Sequence, residues 1–114
     1  MSGKITFAVH DELHNQYAEG IKYDLWRIDN NTNRIHVKND TFTKNNSNVL
    51  LHAHTNEELG SFEVILYIKD YFDKFNENIH VQNSRITVPF GMNELDKDYE
   101  LNIFITPTSY TCTL

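Results

Sequence analysis

The stretch from Ser61 to Lys69 alternates without a break. Phe62, Val64, Leu66 and Ile68 fall on one side, and Glu63, Ile65, Tyr67 and Lys69 on the other. A repeat of two puts successive side chains on opposite faces of an extended chain, so the segment reads as a β-strand. Ile5, Phe7 and Val9 alternate in the same way with Thr6, Ala8 and His10. Leu101, Ile103 and Ile105 alternate with Asn102, Phe104 and Thr106. A chain with several half-buried strands must cover their apolar faces with one another.

Shorter signals fill in the rest. Ile21, Tyr23, Leu25 and Ile28 predict a second strand, with Trp26 on its other face. Asp29-Asn30-Asn31-Thr32-Asn33 is a turn cluster. Arg34 to Lys38 reads as a short strand with Ile35 and Val37 on one side. Lys44-Asn45-Asn46-Ser47-Asn48 reads as a solvated polar loop. Asp70 is placed to cap a helix running to Phe75. Ile86, Val88 and Phe90 mark a further strand, and Pro89 confines it to an edge or bulge. Tyr110 to Thr113 forms a last short strand. Many short strands, turns between them and one brief helix predict an all-β, two-sheet sandwich.

Size and charge narrow the possibilities. The chain has 114 residues, enough for one domain with one core, spanning 1–114. Its net charge is −6, which repels phosphate backbones and argues against nucleic-acid partners. No apolar run approaches the roughly 20 residues of a membrane span. Met1-Ser2-Gly3-Lys4 has no secretory apolar region, and Cys112 is the single cysteine, so no disulfide forms within the chain. The expectation is a cytoplasmic protein.

Several segments, in order, resemble one family. Ile5-Thr6-Phe7-Ala8-Val9-His10-Asp11-Glu12, then Ala18, Gly20 and Leu25-Trp26-Arg27, resemble the opening strand, turn and second strand of the transthyretin and 5-hydroxyisourate hydrolase family. Leu50-Leu51 and Glu57-Glu58-Leu59-Gly60-Ser61-Phe62-Glu63-Val64 are similar to its middle stretch. Lys69-Asp70-Tyr71-Phe72 resembles the start of its short helix. Thr106-Pro107-Thr108-Ser109-Tyr110-Thr111 is similar to its Ser-Pro-x-x-Tyr-Ser turn. Each motif alone is weak, but their order and spacing cover nearly the whole chain. The resemblance implies a transthyretin-like (prealbumin-like) sandwich of two four-stranded sheets. It also implies a homotetramer with a small-molecule channel between dimers.

The same resemblance argues against the family's usual chemistry. Its hydrolases use a first-strand histidine, an arginine, a seventh-strand histidine and a C-terminal Tyr-Arg-Gly-Ser. Here the matching positions hold Ala8, Asn48 and Glu100, and the chain ends Tyr110-Thr111-Cys112-Thr113-Leu114. Hydrolysis of a ring amide needs a base to activate water and a donor or cation for the developing oxyanion. Neither stands in the family's place.

Other residues offer a substitute. Thr6, Ala8 and His10 share one face of the first strand, with His10 about 7 Å beyond Ala8 at roughly 3.3 Å per residue. His10 and Glu100 form the candidate acid/base pair, with Thr6, Ala8, Asn48, Asn102, Tyr110 and Cys112 as candidate substrate contacts. The competing reading is a polar strand-end histidine and a solvated carboxylate. Cys112 has no adjacent base to activate it, and Tyr110 matches a mainly structural tyrosine. His52-Ala53-His54 puts two imidazoles on one strand face, but zinc would need a third ligand, so the pair reads as solvated. No metal and no cofactor is called for.

Three functions follow. The first is a divergent hydroxyisourate-hydrolase-like enzyme acting on a small polar or heterocyclic compound. The second is a non-catalytic small-molecule-binding protein. The third is a 5-hydroxyisourate hydrolase of purine catabolism. A polar site with titrating groups favours catalysis, and a dry apolar channel favours carriage.

Overall fold

The computed structural model describes residues 3–45 and 48–114. Met1, Ser2, Asn46 and Ser47, the last two within the polar loop expected at 44–48, lie outside the described residues. Among the described residues, nine strands and one α-helix run in the order β1 (Lys4–Asp11), β2 (Gln16–Tyr17), β3 (Lys22–Ile28), β4 (Arg34–Thr41), β5 (Val49–His52), β6 (Gly60–Leu66), α1 (Ile68–Asp73), β7 (Ile86–Met92), β8 (Tyr99–Ile105) and β9 (Tyr110–Thr113). A short 3-10 turn, Asn56–Glu58, precedes β6.

The strands make two sheets. One has the order β4-β3-β6-β7, all antiparallel. The other has the order β2-β1-β8-β9, with β5 also paired to β1. The resemblance implied four strands in each sheet, and here the second has five. Two short segments cause the difference. β5 pairs with the start of β1, and β2 with its end. Neither is long enough to show a period of two in sequence. Pro89 lies in β7, an edge strand, where its missing N–H costs no central ladder bond.

The core lies between the sheets. Ile5, Phe7 and Val9 of β1, with Leu101, Ile103 and Ile105 of the adjacent β8, face Tyr23 and Leu25 of β3 and Phe62, Val64 and Leu66 of β6, all buried. Phe7 meets Tyr23 edge-on at 5.0 Å and 72°, and Phe62 stacks on Phe90 at 5.4 Å. These geometries suit the quadrupoles of the rings. In β1 and β8 the alternation is the physical division between core and outer surface, whereas in β6 Ile65, on the other face, is buried as well. In β4 the pattern serves no core, because Ile35 and Val37 stay exposed.

The helix begins earlier than Asp70. It spans Ile68–Asp73, with Tyr67 at the N-cap position. Ile68, Tyr71 and Phe72 are buried, the spacing that puts three side chains on one helical face. Ile68 satisfies the strand pattern and the helix pattern equally, so alternation alone ran the strand too far. Asp70 sits in the first turn, where a carboxylate complements the exposed N–H groups. Lys69 and Asp73, one turn apart, pair at 3.0 Å.

Candidate functional site

The parallel pairing of β1 and β8 sets the site. Thr6 lies opposite Glu100, Ala8 opposite Asn102, and His10 opposite Phe104. Their inward neighbours fill the core, so these six side chains form two adjacent rows on the outer face. Pairing of β8 with β9 adds Thr113 beside Asn102 and Thr111 beside Phe104.

A chain of hydrogen bonds crosses the rows. Asn102 donates from Nδ2 to Glu100 Oε1 at 3.2 Å. Its Oδ1 then faces His10 Nε2 at 3.1 Å. An amide oxygen only accepts, so Nε2 of His10 carries the proton in that bond. A neutral His10 thus keeps its lone pair on Nδ1. Phe104 stacks on the ring at 4.6 Å and 15°, and Tyr17 of β2 lies against it at 5.0 Å and 34°. His10 is consequently fixed in rotation and tautomer, the conditions a general base needs. Glu100 reaches it through Asn102 rather than directly.

Three clefts flank this relay; one, of about 480 Å³, lies beside Glu100 and Asn102 toward Thr113 and Leu114, and the remaining two share Tyr17. Of these two, one, of about 190 Å³, is lined by Thr6, Phe7, Ala8, Tyr17, Lys44, Asn48, Glu100 and Asn102. The other, of about 450 Å³, is lined by His10, Asp11, Glu12, Asn15, Gln16, Tyr17 and Phe104. Tyr17 forms a wall of both. The fold therefore gathers Thr6, Ala8, Asn48, Glu100 and Asn102 in one cleft and puts His10 in the next. The link between them is the Asn102 side chain.

Two residues join the site that sequence reading did not select. Lys44, assigned to a solvated loop, lines the Ala8 cleft with Nζ 5.2 Å from the centre of the Tyr17 ring. Its backbone N–H donates to Glu19 Oε1 at 2.7 Å, which holds the loop against the sheet. Tyr17 belongs to a two-residue strand with no periodic signal. Asn48 is held by its backbone, whose carbonyl accepts from the Phe7 N–H at 3.0 Å.

Tyr110 and Cys112 do not join this group. They pair with Ile105 and Ile103, whose side chains point inward, so they share that opposite face at the sheet's edge. Tyr110 donates its hydroxyl to the Thr87 carbonyl at 3.0 Å, which ties one sheet to the other. The Cys112 thiol is free and exposed. The ring centres of His52 and His54 are 4.2 Å apart. Among the described residues, no group of three or more His, Cys, Asp or Glu side chains could hold a metal ion. No helix among them is long and apolar enough to cross a membrane.

A second polar cluster lies on the outer face of the other sheet. Asp24 accepts a short hydrogen bond from the Tyr67 hydroxyl, and His36 Nε2 pairs with it at 3.0 Å. Burial alone would raise the Asp24 carboxyl, but these bonds from Tyr67 and His36 hold it below the usual carboxylate range.

A two-sheet sandwich with a polar outer face and a single short helix defines the class. The HIUase/Transthyretin family model matches residues 5–113, and the chain belongs to that family. A crystal structure of (S)-allantoin synthase superposes with a TM-score of 0.85 at 19% identity, covering 98% of this chain. This chain spans 43% of that protein's length. Sea bream transthyretin, in complex with thyroxine, superposes with a TM-score of 0.73 at 16% identity, covering 96% of this chain and 92% of that one. At such identities the likeness is one of fold. No curated protein matches by sequence.

Proposed function

We propose that this chain is a divergent enzyme of its family, acting on a small polar or heterocyclic compound at the outer face of β1 and β8. The observation that carries the reading is the relay from Glu100 through Asn102 to His10. It fixes an imidazole with a defined tautomer between two clefts, of which the Ala8 cleft is mainly polar. In this mechanism His10 Nδ1 takes a proton from water or substrate, while Nε2 remains bonded to Asn102. Asn102 and Glu100 are positioning residues that favour the imidazolium formed in that step. Lys44 supplies the cationic end of the Ala8 cleft and accepts negative charge that develops on a substrate oxygen. Ala8, short where the family's hydrolases carry an imidazole, leaves volume for a bulkier ring.

Ordinary hydroxyisourate hydrolysis is the less favoured reading, because Ala8 and Glu100 stand where its two histidines would. In the resembling family a homotetramer closes over this face to form a channel, and we propose the same assembly here. A carrier role would find support in the double covering of His10 by Phe104 and Tyr17, which leaves the ring little freedom. Against that reading, the Ala8 cleft is lined mainly by polar groups and is not a dry apolar channel.

The test is turnover of a panel of cyclic ureides, imides and lactams by the wild-type protein, His10→Ala and Glu100→Gln. Conversion by wild type that is lost in His10→Ala supports the reading. Conversion that survives both changes overturns it. Saturable binding of a panel member without conversion supports carriage instead.

A further inference from the structure

His14 lies at the tip of the hairpin between β1 and β2, outside the site just described. Both of its ring nitrogens face carboxylate oxygens. Nδ1 is 2.6 Å from Asp11 Oδ2, and Nε2 is 2.7 Å from Glu77 Oε1. A neutral imidazole has one N–H and one lone pair, so it can satisfy one of these acceptors and must repel the other. With both carboxylates ionised, the geometry needs the doubly protonated ring.

The two partners belong to different parts of the fold. Asp11 ends β1 and is 1% exposed, the one buried charged residue in the described core. It accepts the Tyr71 hydroxyl from α1 at 2.7 Å and the His14 backbone N–H at 3.0 Å. Glu77 follows the helix and is half exposed, at 50%. Phe75 stacks on the His14 ring at 4.0 Å, and Phe72 lies at 6.1 Å. The other charges nearby are Lys74, over the Tyr71 ring at 4.3 Å, and Glu19, whose charge acts on Tyr71. The hairpin that His14 anchors carries His10 on one strand and Tyr17 on the other.

We propose that His14 is held as an imidazolium, and that its proton latches the β1–β2 hairpin, and with it the Tyr17 wall of both clefts, to the end of the helix. The latch stands on its own geometry, and only its bearing on substrate rests on the function proposed above. The hydrogen bonds to Glu77 and then Asp11 raise the His14 pKa above its ordinary 6.5, against a smaller opposing effect of burial. Loss of the proton forces one carboxylate contact to open. Glu77 is the one that yields, since the Asp11 carboxylate is buried and held by the Tyr71 hydroxyl and the His14 backbone N–H. His14 is thus a positioning residue for Tyr17, and the hairpin loosens as pH rises through the His14 titration.

The experiment is an NMR titration of the six histidines together with the backbone amides of Asn15, Gln16 and Tyr17, on the wild-type protein and Glu77→Gln. Glu77 is half exposed, so the variant keeps the fold, and the introduced amide can donate to the lone pair of a neutral ring. The expected result is a His14 midpoint above its ordinary value that falls in Glu77→Gln. The hairpin amides should share the His14 midpoint. A wild-type His14 midpoint at or below the ordinary value overturns the proposal. So does a midpoint unchanged by Glu77→Gln, or hairpin amides that titrate independently of His14. None of these readouts uses turnover, so a failed latch and a failed enzymatic reading give different results.

Discussion

The His10 ring and the Asn102 side chain meet at 3.1 Å across the parallel pairing of β1 and β8. Asn102 lies opposite Ala8 in register, two residues before the partner of His10. The bond is therefore diagonal, and it depends on a small side chain at position 8. An imidazole or other large group there would stand between them. Ala8→His should break the relay rather than restore a family site. The expected outcome is loss of any conversion seen with wild type and no gain of hydroxyisourate hydrolysis. A variant that hydrolyses hydroxyisourate rapidly would show that the family machinery is otherwise intact.

Wild type should itself accelerate hydroxyisourate decay poorly. A missing base and a displaced cation each cost at least about 100-fold in comparable enzymes. The check is decay of freshly made hydroxyisourate with and without the protein. A rate comparable with a family hydrolase would contradict the assignment.

Stability should depend on pH through His14. Its folded pKa is raised by Glu77 and Asp11. The contribution is fully present below the unfolded value, near 6.5, and is lost as pH rises through the folded value. Denaturant unfolding of wild type and His14→Gln should therefore differ most on the acid side of that window and converge above it. A difference that grows with pH would have the wrong sign.

The core should respond as a packed interior. Phe62 is 1% exposed and stacked on Phe90. Phe62→Ala should lower unfolding free energy by about 3–5 kcal/mol. Ile35→Ala in exposed β4 should change it little. Equal losses at the two positions would mean that β4 is covered in the assembled protein.

The strand framework was legible because burial follows alternation in β1 and β8, and in β6 up to Val64. The helix start was not, because Ile68 fits both periods and Tyr67 caps without a side-chain bond. At the site, the face shared by Thr6, Ala8 and His10 followed from strand geometry. Its continuation through Glu100 and Asn102 needed the β1–β8 register, which no local pattern encodes. Lys44 does lie in the exposed loop that the polar run predicts, but its approach to Tyr17 shows only when the chain is folded. Cys112, a candidate substrate contact by sequence, pairs opposite Ile103 and so lies on the other face from the relay. The Glu77 arm of the carboxylate clamp on His14 joins residues 63 positions apart, so spacing gave no hint of it.

Assembly has its own check. Sedimentation at micromolar concentration should report a tetramer if a second pair of subunits closes over the outer face. A monomer alone would leave both clefts open to solvent and remove the proposed channel.

The tautomer of His10 tests the central claim most directly, since it needs no substrate. Nitrogen chemical shifts of labelled imidazole distinguish a protonated Nε2 from a protonated Nδ1. The relay predicts that whenever the His10 ring is neutral its proton is on Nε2, and that this preference is lost in Asn102→Ala. A wild-type His10 protonated on Nδ1, or an even mixture unchanged by Asn102→Ala, would contradict it.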